Sequence, residues 1–359
     1  MAVQHLLLSN LLLSTSLLLS DALTSPKPIG PIHTLILTRH GDSVWNGKYP
    51  GCKETFTGWT DVELSPIGEQ EAIRTGQLLT EQTRGMNIDA LFTSTLTRAR
   101  MTAHHCWWAY NNNLDDQYML RSSDTNGNSE SYQYQAAPAQ FIIDHRLNER
   151  HYGSLQGLIK ADAEAGKHGH DPDDVYQWRR SWHVVPPEME EEDPRRLEEF
   201  RKYGTITENA VPKAESLSMV AEERIRPFLT ENLTPILDSA HEYRMSSSSS
   251  SLFATEEKEV ALDGTHTHKK ADGGGTALVV AHANSIRALI GVLCNVEDDP
   301  AGVALNKLER MKLPTATPLV IKFRKTEVEG RYYPVDGGLD EDVKNDLPVY
   351  PLSSLKLMK

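Results

Sequence analysis

The chain has 359 residues, 39% of them hydrophobic and 24% charged, a profile of folded globular proteins that excludes collagen-like, fibrous and wholly disordered classes. Its 37 Lys and Arg against 50 Asp and Glu leave a formal net charge of -13, which repels polyphosphate backbones and argues against a nucleic-acid partner. The three cysteines, Cys52, Cys106 and Cys294, lie far apart without a Cys-x-x-Cys pair, so neither a disulfide framework nor a structural zinc site is indicated.

Residues 1–30 carry three Leu-Leu-Leu triplets between Leu6 and Leu19 and read as a targeting segment or a disordered leader. That stretch is shorter than the roughly 20 apolar residues of a membrane span, so a protein integral to a membrane is not expected. The destination stays open between an organelle such as a plastid or mitochondrion, secretory entry, and the cytoplasm if the leader is not functional. Thr34 to Thr38 is a short β-prone apolar run, the signature of a buried strand, and Arg39-His40-Gly41 follows it directly. Ser65-Pro66 predicts a helix start, with Ala72, Ile73, Gly76 and Leu79 along one face. Ala90 to Thr93 and Ala277 to Ala281 repeat the strand signature, each running into a polar cluster and then a helical pattern. The alternation predicts an α/β fold whose polar clusters gather at the carboxyl ends of strands, where open sheets bind ligands. Asn111 to Ala137, Glu188 to Lys202 and His241 to Gly275 read as insertions, the first and third as mobile surface loops. The expected organisation is a catalytic domain over residues 31–335 and a C-terminal tail over residues 336–359.

A histidine at a strand end, with one ring nitrogen fixed by a neighbouring acceptor, leaves the other nitrogen free to attack phosphorus. Arg39 beside His40 can grip phosphoryl oxygens, and Gly41 lets the backbone approach an anion. Phosphoryl transfer needs several positive donors on one anion and a proton carrier nearby. Arg98 in the first turn of a predicted helix, His282 after a second buried strand, Glu149 beside Arg150, and the basic pair Arg179-Arg180 supply them.

Taken together, T-R-H-G at Thr38 to Gly41, T-G-W at Thr57 to Trp59, L-N-E-R-H-Y-G with L-Q-G at Leu147 to Gly157, W-R-R at Trp178 to Arg180 and A-H-x-N-S-x-R-A at Ala281 to Ala288 resemble the cofactor-dependent phosphoglycerate mutases of the histidine phosphatase superfamily. The resemblance spans roughly residues 34–240 and 275–335. It implies an α/β three-layer sandwich with a mostly parallel central sheet flanked by helices. It implies His40 as the phosphorylated nucleophile, Glu149 as general acid/base, and Arg39, Arg98 and His282 around the transferring phosphoryl group. The remaining substrate contacts it implies are Gly41, Asp42, Ser43, Val44, Trp45, Asn46, Thr57, Gly58, Arg150, His151, Tyr152, Lys160, Arg179, Arg180, Ala283 and Asn284. Phosphoglycerates are the implied substrates and 2,3-bisphosphoglycerate the phosphoryl primer, without a metal; homodimer and homotetramer are both open. A phosphatase using the same His40 intermediate, and an inactive phospholigand-binding protein, stay as alternatives.

Three positions depart from the family pattern: Asp42 for Glu, Ile159 for Asn, and Ala283 for Gly. Ala283 carries the most weight, since a methyl would strain the phosphate pocket if that position required positive φ. The pairs His104-His105, His168/His170 and His266/His268 match no recognised metal-ligand spacing. Trp107-Trp108 reads as core or as an anchor for the insertion, and Glu190 to Asp193 as solvated acidic surface.

Overall fold

A computed structural model describes residues 26–83, 87–112, 141–205, 211–250, 273–335 and 350–351. Strand β1 (Pro28–Arg39) extends beyond the apolar run at both ends. It leads through a long turn into helix α1 (Pro66–Gln82), followed by β2 (Ala90–Thr93), α2 (Thr97–Asn112) and β3 (Phe141–Ile143). Three short helices, α3 (Lys160–Glu164), α4 (Pro172–Arg180) and α5 (Pro194–Tyr203), precede the long helix α6 over residues 217–250. Then come β4 (Gly273–Ala281), α7 (Ala283–Leu293), α8 (Val303–Arg310), β5 (Leu319–Thr326), β6 (Tyr332–Val335) and β7 (Tyr350–Pro351). Helix α6 passes through two π-helical stretches, Val220–Ile225 and Phe228–Leu233.

The strands form one sheet in the order β3-β2-β4-β1-β5-β6, with β7 also paired to β5. β3, β2, β4 and β1 are parallel, whereas β5 runs antiparallel to β1. Because side chains alternate across a strand, Leu35 and Leu37 join Phe92, Val279 and Phe323 on one face, under Phe228 of α6 and Ile286 and Leu289 of α7. Ile36, Leu91, Leu278 and Val280 point the other way, against Leu79 of α1 and Ala103, Cys106 and Trp107 of α2. Both faces are therefore covered, which gives the expected three layers and places Trp107 in the core. Each such apolar side chain contributes about 1.5–3 kcal/mol by leaving water. Among the described residues, no helix is long and apolar enough to cross a membrane.

The register fixes where chemistry can occur. Arg39 pairs with Ala281 and Thr93 with Val280, so the residues that follow β1, β2 and β4 emerge side by side at the carboxyl edge. α2 and α6 return the chain to the opposite edge, where β3 and β4 begin. Helix α1 is tied to the carboxyl edge by Ser65, whose Oγ accepts from Gly68 N at 3.2 Å and donates to Asp42 Oδ2 at 2.6 Å.

Several segments differ from the sequence expectation. Residues 241–250 continue α6 instead of forming a loop, and Gly273 to Gly275 belong to β4. A Cβ on Gly275 would lie 2.6 Å from Leu237 O of α6, so this glycine is required by close packing, not by loop mobility. Asn111 and Asn112 end α2; the rest of the first expected insertion, the Ser-rich part of the third and the Leu triplets lie outside the described residues. The charged run 188–202 is knitted into the fold: Asp193 caps α5, Glu191 binds Arg196 and Lys213, and Arg196 and Glu199 are buried. Tyr350 and Pro351, within the expected tail, pair with Val320 and Leu319.

At the crossing of α1 and α2, a Cβ on Gly76 would sit 2.2 Å from Cys106 O. Gly76→Ala gains about 1 kcal/mol of helix propensity and meets an overpacking cost of about 1–3 kcal/mol. The variant should therefore show a lower urea midpoint with an unchanged slope.

Candidate active site

One hydrogen bond sets the tautomer of His40. His40 Nδ1 lies 2.7 Å from Gly41 O, and because a carbonyl can only accept, Nδ1 carries the proton and Nε2 keeps its lone pair. The ring is buried, 3% exposed. Burial, reinforced by the charges of Arg98 and Arg39, holds its pKa well below the ordinary imidazole value. His40 is thus neutral and nucleophilic at neutral pH. The His282 ring lies 5.0 Å away, centroid to centroid. Its Nε2 is 2.7 Å from Ser94 Oγ, while its buried Nδ1 has no hydrogen-bond partner. Burial and the same arginine keep it neutral too.

The arginines around this pair are tethered to main-chain carbonyls. Arg98, in the first turn of α2, donates from Nη2 to Gly58 O at 2.8 Å and from Nη1 to Thr60 O at 3.0 Å. Burial pushes its pKa down to about 10, which leaves it charged. Arg39 donates to Leu313 O at 3.1 Å, and Arg287 of α7 to Met311 O at 2.7 Å and Asn284 Oδ1 at 2.7 Å. The Nε atoms of Arg39, Arg98 and Arg287 are buried without a partner. Buried donors left open in this way suit an anion.

Arg39, His40, Arg98 and Arg287 line a cavity of about 340 Å³ whose wall also holds Lys160, Arg179, Arg180 and Lys312 among its cations, against only Glu54 and Glu149 among its carboxylates; His282 is not part of this lining and packs against the His40 ring. A positive pocket in a chain of net charge -13 is a directed feature. Glu149 Oε1 accepts from Arg150 N at 2.8 Å and Asn284 N at 3.2 Å, placing the carboxylate on the wall beside His40. Asn284 Nδ2 donates to Tyr152 Oη at 2.8 Å.

Of the residues expected to contact substrate, Asn46, Thr57, Gly58, Tyr152, Lys160, Arg179, Arg180, Ala283 and Asn284 line the cavity. The others lie behind it. Gly41 accommodates the backbone of α1, since a Cβ there would be 2.4 Å from Gly68 O, so the close approach is to chain and not to an anion. Asp42 is fully buried against Ser65, and the backbone N and Oγ of Ser43 hold Asn46 Oδ1 at 3.0 and 2.7 Å. Val44 and Trp45 form turn contacts through their backbones, to Glu63 and Thr55. Arg150 stacks 4.7 Å over Tyr152 and donates to Trp178 O, and His151 is buried against Glu199 at 2.9 Å. Ala283 opens α7 and is not among the positive-φ residues, which outside glycine are Asn295 and Ala316 in the described chain. Its methyl adds no strain. Among the described residues, no group of three or more His, Cys, Asp or Glu side chains could hold a metal ion.

The structure adds Ser94, Glu54, Arg287 and Lys312. Arg287 follows Asn284 by three residues on α7, a spacing that shares a helix face, so it could have been found. Lys312 stands in the aperiodic segment Met311 to Pro314, which carries no such signal.

Residues 35–116 match the model of the histidine phosphatase superfamily, branch 1. The chain is 32% identical to a 2,3-bisphosphoglycerate-dependent phosphoglycerate mutase of Lactobacillus acidophilus, across 80% of this chain and 93% of the relative. It is 37% identical to the like-named protein of Staphylococcus haemolyticus, across 74% and 86%. A solved mycobacterial glucosyl-3-phosphoglycerate phosphatase superposes with a TM-score of 0.46 at 19% identity, over 84% of this chain and 96% of that one.

In the folded state His40 and His282 refuse protons that the unfolded chain accepts near pH 6.5, so stability present above that pH is lost as the pH falls below it. The slope is at most about 1.4 kcal/mol per pH unit for each group. Urea unfolding between pH 7 and pH 5 should show a steeper loss in the wild type than in a His40→Asn/His282→Asn variant.

Proposed function

Because this chain belongs to the 2,3-bisphosphoglycerate-dependent phosphoglycerate mutase family of the histidine phosphatase superfamily, we propose that it interconverts 3-phosphoglycerate and 2-phosphoglycerate through a phosphohistidine on His40. The observation that carries this reading is the neutral His40, with Nε2 free, in a cavity walled by arginine donors and one nearby carboxylate.

In this reading His40 Nε2 attacks phosphorus, while Arg39, Arg98 and His282 hold the equatorial oxygens. Such a loose transition state is stabilised by fixed donors rather than by new covalent chemistry, and donors already anchored to carbonyls need no rearrangement. The unpartnered Nε atoms of Arg39 and Arg98 fit a phosphoryl group, and Lys160, Arg179 and Arg180 fit further anionic groups on the same molecule. 2,3-bisphosphoglycerate, when bound, supplies the phosphoryl group that charges His40. Glu149 donates a proton to the departing substrate oxygen and takes one back when a hydroxyl accepts the group from His40. Arg179 and Arg180 favour a mutase over a phosphatase with the same nucleophile, because simple phosphate release does not require recognition of a second anionic group.

The test is conversion of 3-phosphoglycerate to 2-phosphoglycerate by the full chain, with and without added 2,3-bisphosphoglycerate. Stimulation by the bisphosphate, loss in His40→Ala, and a fall in kcat of about 10²–10⁴-fold in Glu149→Gln are expected. Phosphate release without isomerisation would move the assignment to the phosphatase.

A further inference from the structure

Glu149 is the cavity group that must hold and release a proton, yet residues 148–151 belong to no helix or strand. Their backbone is fixed from outside. Arg224, in the π-helical stretch Val220–Ile225 of α6, is buried and donates from Nη1 to Asn148 O at 2.9 Å and from Nη2 to Glu149 O at 3.2 Å. The same guanidinium pairs with buried Glu215 through Nη2 and Nε, both at 2.9 Å. Glu215 Oε2 in turn accepts from His151 N at 2.8 Å. One ion pair therefore grips this segment on both sides of Glu149. Trp59 Nε1 adds a second donor to the Glu149 carbonyl at 2.7 Å, with the Arg224 guanidinium 5.7 Å from the Trp59 ring. Arg224 and Glu215 do not line the cavity.

We propose that Arg224, paired with Glu215, is a positioning residue that sets the Glu149 carboxylate at the distance from the leaving oxygen needed for proton transfer. The inference rests on the reading of Glu149 as general acid/base. In the charging step the His40 Nε2 lone pair forms the N–P bond as the bond from phosphorus to the substrate oxygen breaks. An alkyl oxygen leaves with the proton from Glu149. A nitrophenolate leaves as the anion and needs no proton. Misplacing Glu149 therefore slows the first reaction and spares the second, whereas damage to the phosphate pocket or to the fold slows both.

The experiment compares first-turnover phosphorylation of His40 by 2,3-bisphosphoglycerate and by p-nitrophenyl phosphate in the wild type, Arg224→Lys and Trp59→Phe, with folding checked by circular dichroism. Lysine can still pair with Glu215 but cannot hold both carbonyls. For Arg224→Lys we expect a loss of about tenfold or more with the bisphosphate, a half-saturating concentration within about twofold, and a nitrophenolate burst within about twofold of wild type. Trp59→Phe introduces no buried charge and should show the same selective loss, about threefold. It carries the test if Arg224→Lys does not fold. Equal losses with both phosphates, or no loss with either, would overturn the proposal. A wild type that leaves His40 uncharged by the bisphosphate would overturn the mutase reading itself, and is seen before any variant is made.

Discussion

Several guanidinium groups share a small buried volume with two uncharged imidazoles, and the rest of the site depends on how that charge is held. A buried cation is costly unless donors are satisfied, and here part of each guanidinium is satisfied while an Nε is left open. Here the partners are largely main-chain carbonyls: Gly58 and Thr60 for Arg98, Leu313 for Arg39, Met311 for Arg287, Trp178 for Arg150. Carbonyls fix an arginine without cancelling its charge. The positive potential therefore stays directed into the cavity, where it adds to burial in holding the His40 and His282 pKa values down. The dependence is mutual. Loops that carry these carbonyls are shaped by the arginines they hold, so His40, the arginine donors and loop conformation are one arrangement.

The sheet supplies the precision that loops lack. His40 and His282 follow neighbouring parallel strands whose register pairs Arg39 with Ala281, and His40 N donates to Ala281 O at 2.9 Å. Ser94, after β2, completes the row by meeting His282. Glu149 comes from outside this frame, and its backbone is secured by Arg224, Glu215 and Trp59 instead.

What could be read from the sequence follows how local each signal is. β1, β2, β4, the Ser65 cap and the place of Arg98 in a first turn rest on patterns a few residues long, and they stand as expected. The residues after His40 were legible as a motif, but their work was not: Asp42 and Ser43 brace the turn through Ser65 and Asn46, contacts that depend on partners brought in by folding. Gly273 to Gly275 looked like loop composition because the pressure of Leu237 on Gly275 is a tertiary fact. The π-helical stretches of α6 leave no period in the sequence, so Arg224 could not be tied to Glu149 from residue types alone.

The carboxyl edge carries the cavity residues that follow β1 and β4, while β3 and β4 begin at the amino edge, at Phe141 and Gly273. The residues that line the cavity and the residues that begin β3 and β4 therefore lie at opposite poles of one sheet, so a change at the amino edge reaches the cavity only through the paired strands themselves.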